Sequence, residues 1–165
     1  MAISLREMRE KIADPSSLDE CVDEVFRIML GVDCLQSTVP ESEGTPSEVE
    51  SLTAVIGLGG ALSGACVFRC SCATAITLAE RMTGSRPEAV DDMVKDGVGE
   101  LCNMLAGSWK GKIPELAAGC GLSVPAVITG RDYQIHVQAP RFRIHRSYSF
   151  RDAAFSVTIV CDGLE

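Results

Sequence analysis

No run of apolar residues in this chain approaches the roughly 20 needed to cross a bilayer as a helix. The opening stretch, MAISLREMREKIAD, is charged throughout and lacks the apolar centre of a secretory signal. A cytoplasmic protein with no membrane contact is expected. Positive charge is scarce too: 15 basic residues stand against 23 acidic ones, a net of −8. No nucleic-acid partner is expected, because phosphate backbones are gripped by basic surfaces. Histidine is limited to His136 and His145, and the eight cysteines contain no Cys-x-x-Cys pair. Zinc sites need such ligands at close spacing, so no metal site is expected. The cysteines lie mostly inside apolar stretches, where they behave as small buried hydrophobes.

What is present suits one ordinary domain: 165 residues, 46% hydrophobic and 23% charged. Residues 1–17 read as a polar extension with one helical turn, and residues 18–165 as a single domain. The spacing of Leu18, Val22, Val25, Phe26, Met29 and Leu30 predicts an amphipathic helix over 18–31, with Gly31 as its C-cap. Residues 38–50, rich in Glu and holding two prolines, read as an exposed loop. Two strands, 51–57 and 63–70, flank Gly57-Leu58-Gly59-Gly60. No Gly-Lys-Ser/Thr follows those glycines, so they read as a hairpin turn and not a phosphate loop. A helix over 73–83 stops at Gly84. Ser85 and Glu88 then offer a capping box for a second long helix ending near Trp109. Strands are expected at 122–129, 133–138, 141–149 and 153–161. The fold class is α+β, with helices on a mainly antiparallel sheet. A faint duplication aligns the two long helices and repeats Ala54-Val55-Ile56 as Ala126-Val127-Ile128, which suggests a pseudo-twofold repeat.

The second long helix is the informative one. At 100° per residue, Val94, Val98, Leu101, Cys102, Leu105 and Trp109 share one face, roughly 140° to 240° around from Asp96. Asp96, Glu100 and Asn103 form a stripe on the opposite face. Gly97, Gly99, Ala106 and Gly107 flank that stripe, with Met93 and Met104 close by. Each helical glycine costs about 1 kcal/mol relative to alanine. Such a cost suits a surface that another backbone approaches closely, with methionines filling irregular gaps. The bland alternative is a solvated face that happens to carry Asp, Glu and Asn. Two or three ligands on one exposed helix are too few for tight cation binding. No histidine or nucleophile accompanies the carboxylates. An amide and a carboxylate one turn apart can instead hold a water and grip a cationic group on a partner.

Asp96-x3-Glu100-x2-Asn103, followed by Pro125, resembles the signature of the CheC/CheX/FliY family of bacterial chemotaxis phosphatases. EVFRIML in the first helix, TAVIGLGGALSGACVF in the hairpin and LSVPAVITG after the motif look like its CheX branch. The resemblance implies a CheC-like fold: a pseudo-twofold repeat of helix plus antiparallel strands. It implies hydrolysis of the aspartyl phosphate on a phosphorylated CheY-like response regulator, which brings its own Mg²⁺ and lysine. No cofactor of this chain's own is implied. Asn103 would orient the attacking water and Glu100 would grip the regulator's lysine. Asp96, Gly99, Met104 and Gly107 would serve docking, and Pro125 would shape the neighbouring strand. The first helix carries Glu20, Glu24 and Arg27 at the equivalent positions. Arginine cannot both donate to and accept from a water, so one site per chain is expected. A homodimer joined through its sheets is also implied. Two other readings stay open: a module that docks a regulator without turnover, and a structural dimerisation domain.

Overall fold

The computed structural model describes residues 4–37, 49–136 and 141–162. Along the chain these form α1 (Leu5–Ala13), α2 (Pro15–Leu30), β1 (Leu35–Gln36), β2 (Ser51–Gly60), β3 (Ser63–Ser71) and α3 (Cys72–Thr83). Then follow α4 (Asp92–Gly111), α5 (Pro114–Gly119), β4 (Cys120–Leu122), β5 (Ala126–Gly130), β6 (Phe142–Phe150) and β7 (Ala153–Asp162). No described helix is long and apolar enough to cross a membrane.

One sheet organises the molecule. Its order is β1-β6-β7-β3-β2-β4, with β5 also on β2, and every pairing is antiparallel. Alternate residues of its strands point to one core. Leu52, Ala54, Ile56 and Leu58 of β2 do so, as do Cys66, Phe68 and Cys70 of β3 and Phe155, Val157, Ile159 and Cys161 of β7. The apolar faces of α2, α3 and α4 close that core. Phe155 is its aromatic centre, stacked on Phe26 of α2 at 4.5 Å and on Phe68 at 5.1 Å between ring centroids. Gly31 and Gly84 end α2 and α3 in the left-handed conformation, φ 63° and 79°, as C-cap glycines do.

Several expectations are corrected. Residues 5–13 form a nine-residue helix whose Ile12 is fully buried in the core. Ser4 and Glu7 complete a capping box at its start, which stabilises a segment too short to show clear periodicity. α2 begins at Pro15, not at Leu18, because Asp14 caps it and proline suits the first turn. Ser85 and Glu88 do not cap α4. Asp91 does, accepting from the Val94 N–H at 2.9 Å. Gly57–Gly60 are not a turn. They continue β2, paired with β3 on one side and β4 on the other, and the chain reverses at Ala61-Leu62. Residues 133–136 form no strand. Tyr133 instead bonds Thr53 through its hydroxyl and lies under Arg69, 5.0 Å from guanidinium carbon to ring centroid. The remainder of that expected strand, and residues 38–48 of the acidic loop, lie outside the described residues.

The duplication also takes a different form. The sheet order reads as a palindrome about the β3–β7 pair, so β2 corresponds to β6 and β1 to the β4/β5 edge. Ala54-Val55-Ile56 and Ala126-Val127-Ile128 are therefore not equivalent strands. They are neighbours, with Ala54 paired to Val127.

Candidate functional site

α4 crosses the sheet with one face sealed. Val94, Val98, Leu101, Cys102, Leu105 and Trp109 are buried, as the spacing predicts. The Cys102 thiol lies 3.7 Å from the Ala54 carbonyl oxygen and 3.6 Å from that of Cys66, tying the helix to the middle of β2 and β3. Its hydrogen bond to Cys66, followed by burial, pushes the Cys66 thiol pKa well up. The helix thus has no freedom to roll, and the direction of its outer face is set.

That outer face carries the stripe. Asp96 and Glu100 are exposed and Asn103 is half-buried. Among the described residues, no hydrogen bond or ion pair engages any of these three side chains. The matching positions of α2 are committed instead. Lys112 lies 3.4 Å from Glu20 and 3.6 Å from Glu24, and Arg27 pairs with Asp23 at 2.9 Å. Among the described residues no cluster of His, Cys, Asp or Glu is arranged to hold a metal ion.

The flanking small residues have individual explanations. Gly99 is buried, and a Cβ there would stand 3.3 Å from Pro125 Cβ and 3.6 Å from Val127 Cγ2. The close approach that Gly99 allows is made within the chain by Pro125. A Cβ at Gly97 would stand 3.6 Å from the Met82 sulfur and one at Gly107 4.0 Å from Leu122 Cδ1, both ordinary contacts. Met104 is half-buried against the core. Pro125 lies beside the helix, against Gly99. Its segment is pinned by Ser123, whose N–H donates to the Gly57 carbonyl at 2.9 Å and whose hydroxyl accepts from the Gly57 N–H at 2.8 Å.

Val124, 87% exposed, immediately precedes Pro125, and Met93, 57% exposed, lies one turn before Asp96. Sequence reasoning passed over Val124, because one valine in a loop carries no periodic signal. Polar groups without partners, bordered by exposed apolar side chains, suit a surface that another protein covers.

Residues 52–146 match the family described as "Chemotaxis phosphatase CheX". The CheY-P phosphatase CheX of Thermotoga maritima is 31% identical over 121 residues, covering 69% of this chain and 74% of that protein. Among solved structures, chemotaxis protein CheX from Vibrio vulnificus superposes with a TM-score of 0.76 at 20% identity, over 92% of this chain and 99% of that one. A CheX–CheY–BeF3–Mg complex from Borrelia burgdorferi superposes with a TM-score of 0.72 at 18% identity, over 91% and 99%. The α+β sheet with its helices is thus the CheC-like fold. With the family match spanning residues 52–146 and the Thermotoga relative aligned over 121 residues, the chain belongs to the CheX family of chemotaxis phosphatases.

Proposed function

We propose that this protein is a phosphatase acting on the aspartyl phosphate of a CheY-type response regulator, with the α4 stripe completing the regulator's active site. One observation carries the reading: Glu100 and Asn103 stand one turn apart on the open face of α4, with neither side chain engaged among the described residues. The Borrelia relative in complex with CheY supports a partner of that kind.

The chemistry follows from the two groups. A carboxamide both donates and accepts hydrogen bonds, so Asn103 holds a water and the phosphoryl group at once. The water attacks phosphorus in line, the bond to the aspartyl oxygen breaks, and inorganic phosphate leaves. Fixing such a nucleophile is worth factors of 10² or more. Glu100 is unsuited as a base beside a dianionic phosphoryl group. Its carboxylate instead grips the regulator's lysine through a charge-assisted hydrogen bond, which sets the register of docking. Asp96, Met104 and Gly107 border that contact. The phosphoaspartate and Mg²⁺ belong to the regulator. The ion pairs that occupy Glu20, Glu24 and Arg27 support one site per chain. The exposed apolar residues Leu35 and Ile128 on the sheet's edge strands support a homodimer formed through the sheets.

The test is the decay of a phosphorylated CheY-type regulator in Mg²⁺, with and without the protein and with Asn103→Ala. Acceleration by the parent that falls about a hundredfold in the variant, with docking retained, is the expected result. No acceleration with any of several regulators would reduce the stripe to a docking face.

A further inference from the structure

One side of α3 from its first turn to Arg81 in its last, the segment that follows it and the β6–β7 turn border an open cleft of about 340 Å³. Arg81, Arg86 and Arg151 line it, against one carboxylate, Asp152. That is a concentration of positive charge in a chain whose net charge is −8. Arg86 is held 2.8 Å from Glu80. Arg81 and Arg151 have no hydrogen bond or ion pair among the described residues. Thr74, whose hydroxyl accepts from Ser71 at 3.2 Å, lines the same wall in the half of α3 where the helix dipole is positive, beside Thr77, whose hydroxyl donates to the Ala73 carbonyl. None of the residues of the α4 stripe lines the cleft.

Arg151 adds an independent observation. Its φ is 51°, left-handed, at a tight turn between two strands. A non-glycine residue there costs on the order of 1 kcal/mol, and such turns usually take Gly, Asn or Asp. The arginine is kept at a strained position where glycine would sit more easily. What it contributes that glycine would not is a guanidinium on a residue that lines the cleft.

We infer that this cleft is a binding site for a small phosphate monoester. Arginine's planar fork matches phosphate oxygens, and two unengaged guanidiniums with the Thr74 hydroxyl beside them suit a dianion. The volume lies near the lower end of the ~300–1,000 Å³ usual for ligand sites, which fits a small molecule and not a polymer. Ala73, Ala153 and the edge of the buried Phe150 offer an apolar wall for a short carbon body.

The test is calorimetric titration of the full chain with glycerol phosphate, inorganic phosphate and sodium chloride at matched ionic strength. Arg81→Gln and Arg151→Gly are run beside the parent. Arg151→Gly removes the guanidinium and relieves the left-handed strain, so it folds, and a thermal melt checks this. The expected result is saturable binding of glycerol phosphate at one per chain, weakened at least tenfold in each variant and absent with chloride. Affinity unchanged in both variants, or no saturable binding at millimolar ligand, overturns the assignment. Inorganic phosphate binding as tightly as glycerol phosphate would overturn the monoester in favour of the free ion.

Discussion

Asn103 and Glu100 do different work, and their substitutions separate. Replacing Glu100 with Gln keeps the shape and removes the charge that grips a lysine. The apparent KM for the phosphorylated regulator should rise about tenfold, the scale of one charge-assisted hydrogen bond. The maximal rate should change much less, because Asn103 still positions the water. The parent's KM should also rise with salt while that of the variant responds weakly, since screening acts on the lost pair. Steady-state kinetics at two ionic strengths checks both. Asn103→Ala should show the opposite division, a lost rate with docking retained. A fall in rate without change in KM for Glu100→Gln would remove its docking role. Gly99 belongs to this scale too. It lets Pro125 sit against the helix beside Glu100, so the spacing between motif and proline reflects a contact within the chain.

Individual elements are held by a few non-local contacts whose loss is predictable. Gly64 of β3 is paired with Cys161 of β7, and a Cβ there would run into the Val160 carbonyl oxygen. Backbone cannot yield as a flexible side chain can. Gly64→Ala should therefore cost about 3 kcal/mol or more, read as a lowered midpoint in urea unfolding. α2 is tied to β6 through Asp19, which accepts from the Tyr148 hydroxyl at 2.7 Å and from Arg146 at 2.9 Å. Burial first, and then the bond to Asp19, push the Tyr148 pKa far above the ordinary tyrosine value. A folded-state pKa raised in this way stabilises the fold fully below the unfolded value, about 10. The contribution is lost as pH rises beyond that value, because the unfolded chain sheds the proton first. Stability should fall above pH ~10 in the parent, and more shallowly in Tyr148→Phe. Denaturant melts across that range check it. Identical slopes would show that Tyr148 carries none of the effect.

At the scale of the whole molecule, the palindromic sheet sets α2 and α4 on one face as equivalents, yet only α4 presents an amide in its stripe. The cysteines gather in the interior between these layers. Cys21, Cys66, Cys70, Cys102, Cys120 and Cys161 are buried, while Cys34 and Cys72 are half-buried. Burial pushes the thiols of Cys34 and Cys161 up to about 12, and the carboxylates near Cys34 add to its shift. The thiolate is the reactive form, so these groups are inert while the fold holds. A chromogenic disulfide reagent at mild alkaline pH should modify at most Cys34 and Cys72 in the native protein, slowly, and all eight in denaturant. Rapid native modification of more than two thiols would mean that the core opens far more often than its packing implies.

Much of the site was legible in the sequence because it lies on one helix. A helix has a fixed period, so Val94 to Trp109 declared the buried face and thereby the opposite stripe, with no knowledge of the sheet. Gly31 and Gly84 were readable as stops for the same local reason: left-handed caps need no distant partner. Where partners are distant, local patterns failed. Gly57–Gly60 looked like a turn, but β4, some 60 residues later, pairs with it and makes it strand. Ala126-Val127-Ile128 looked like the second copy of Ala54-Val55-Ile56, whereas the sheet makes the two neighbours. Strand identity depends on what lies alongside, and that is decided only when the chain closes. The sequence by itself thus determined the presence of α2, α3 and α4, the apolar faces of α2 and α4 and the Asp96–Asn103 stripe, while α1 and α5 emerged only in the folded chain. Tertiary structure alone decided that Pro125 lies on Gly99, that the stripe stays without partners among the described residues, and that Arg81 and Arg151 line one cleft.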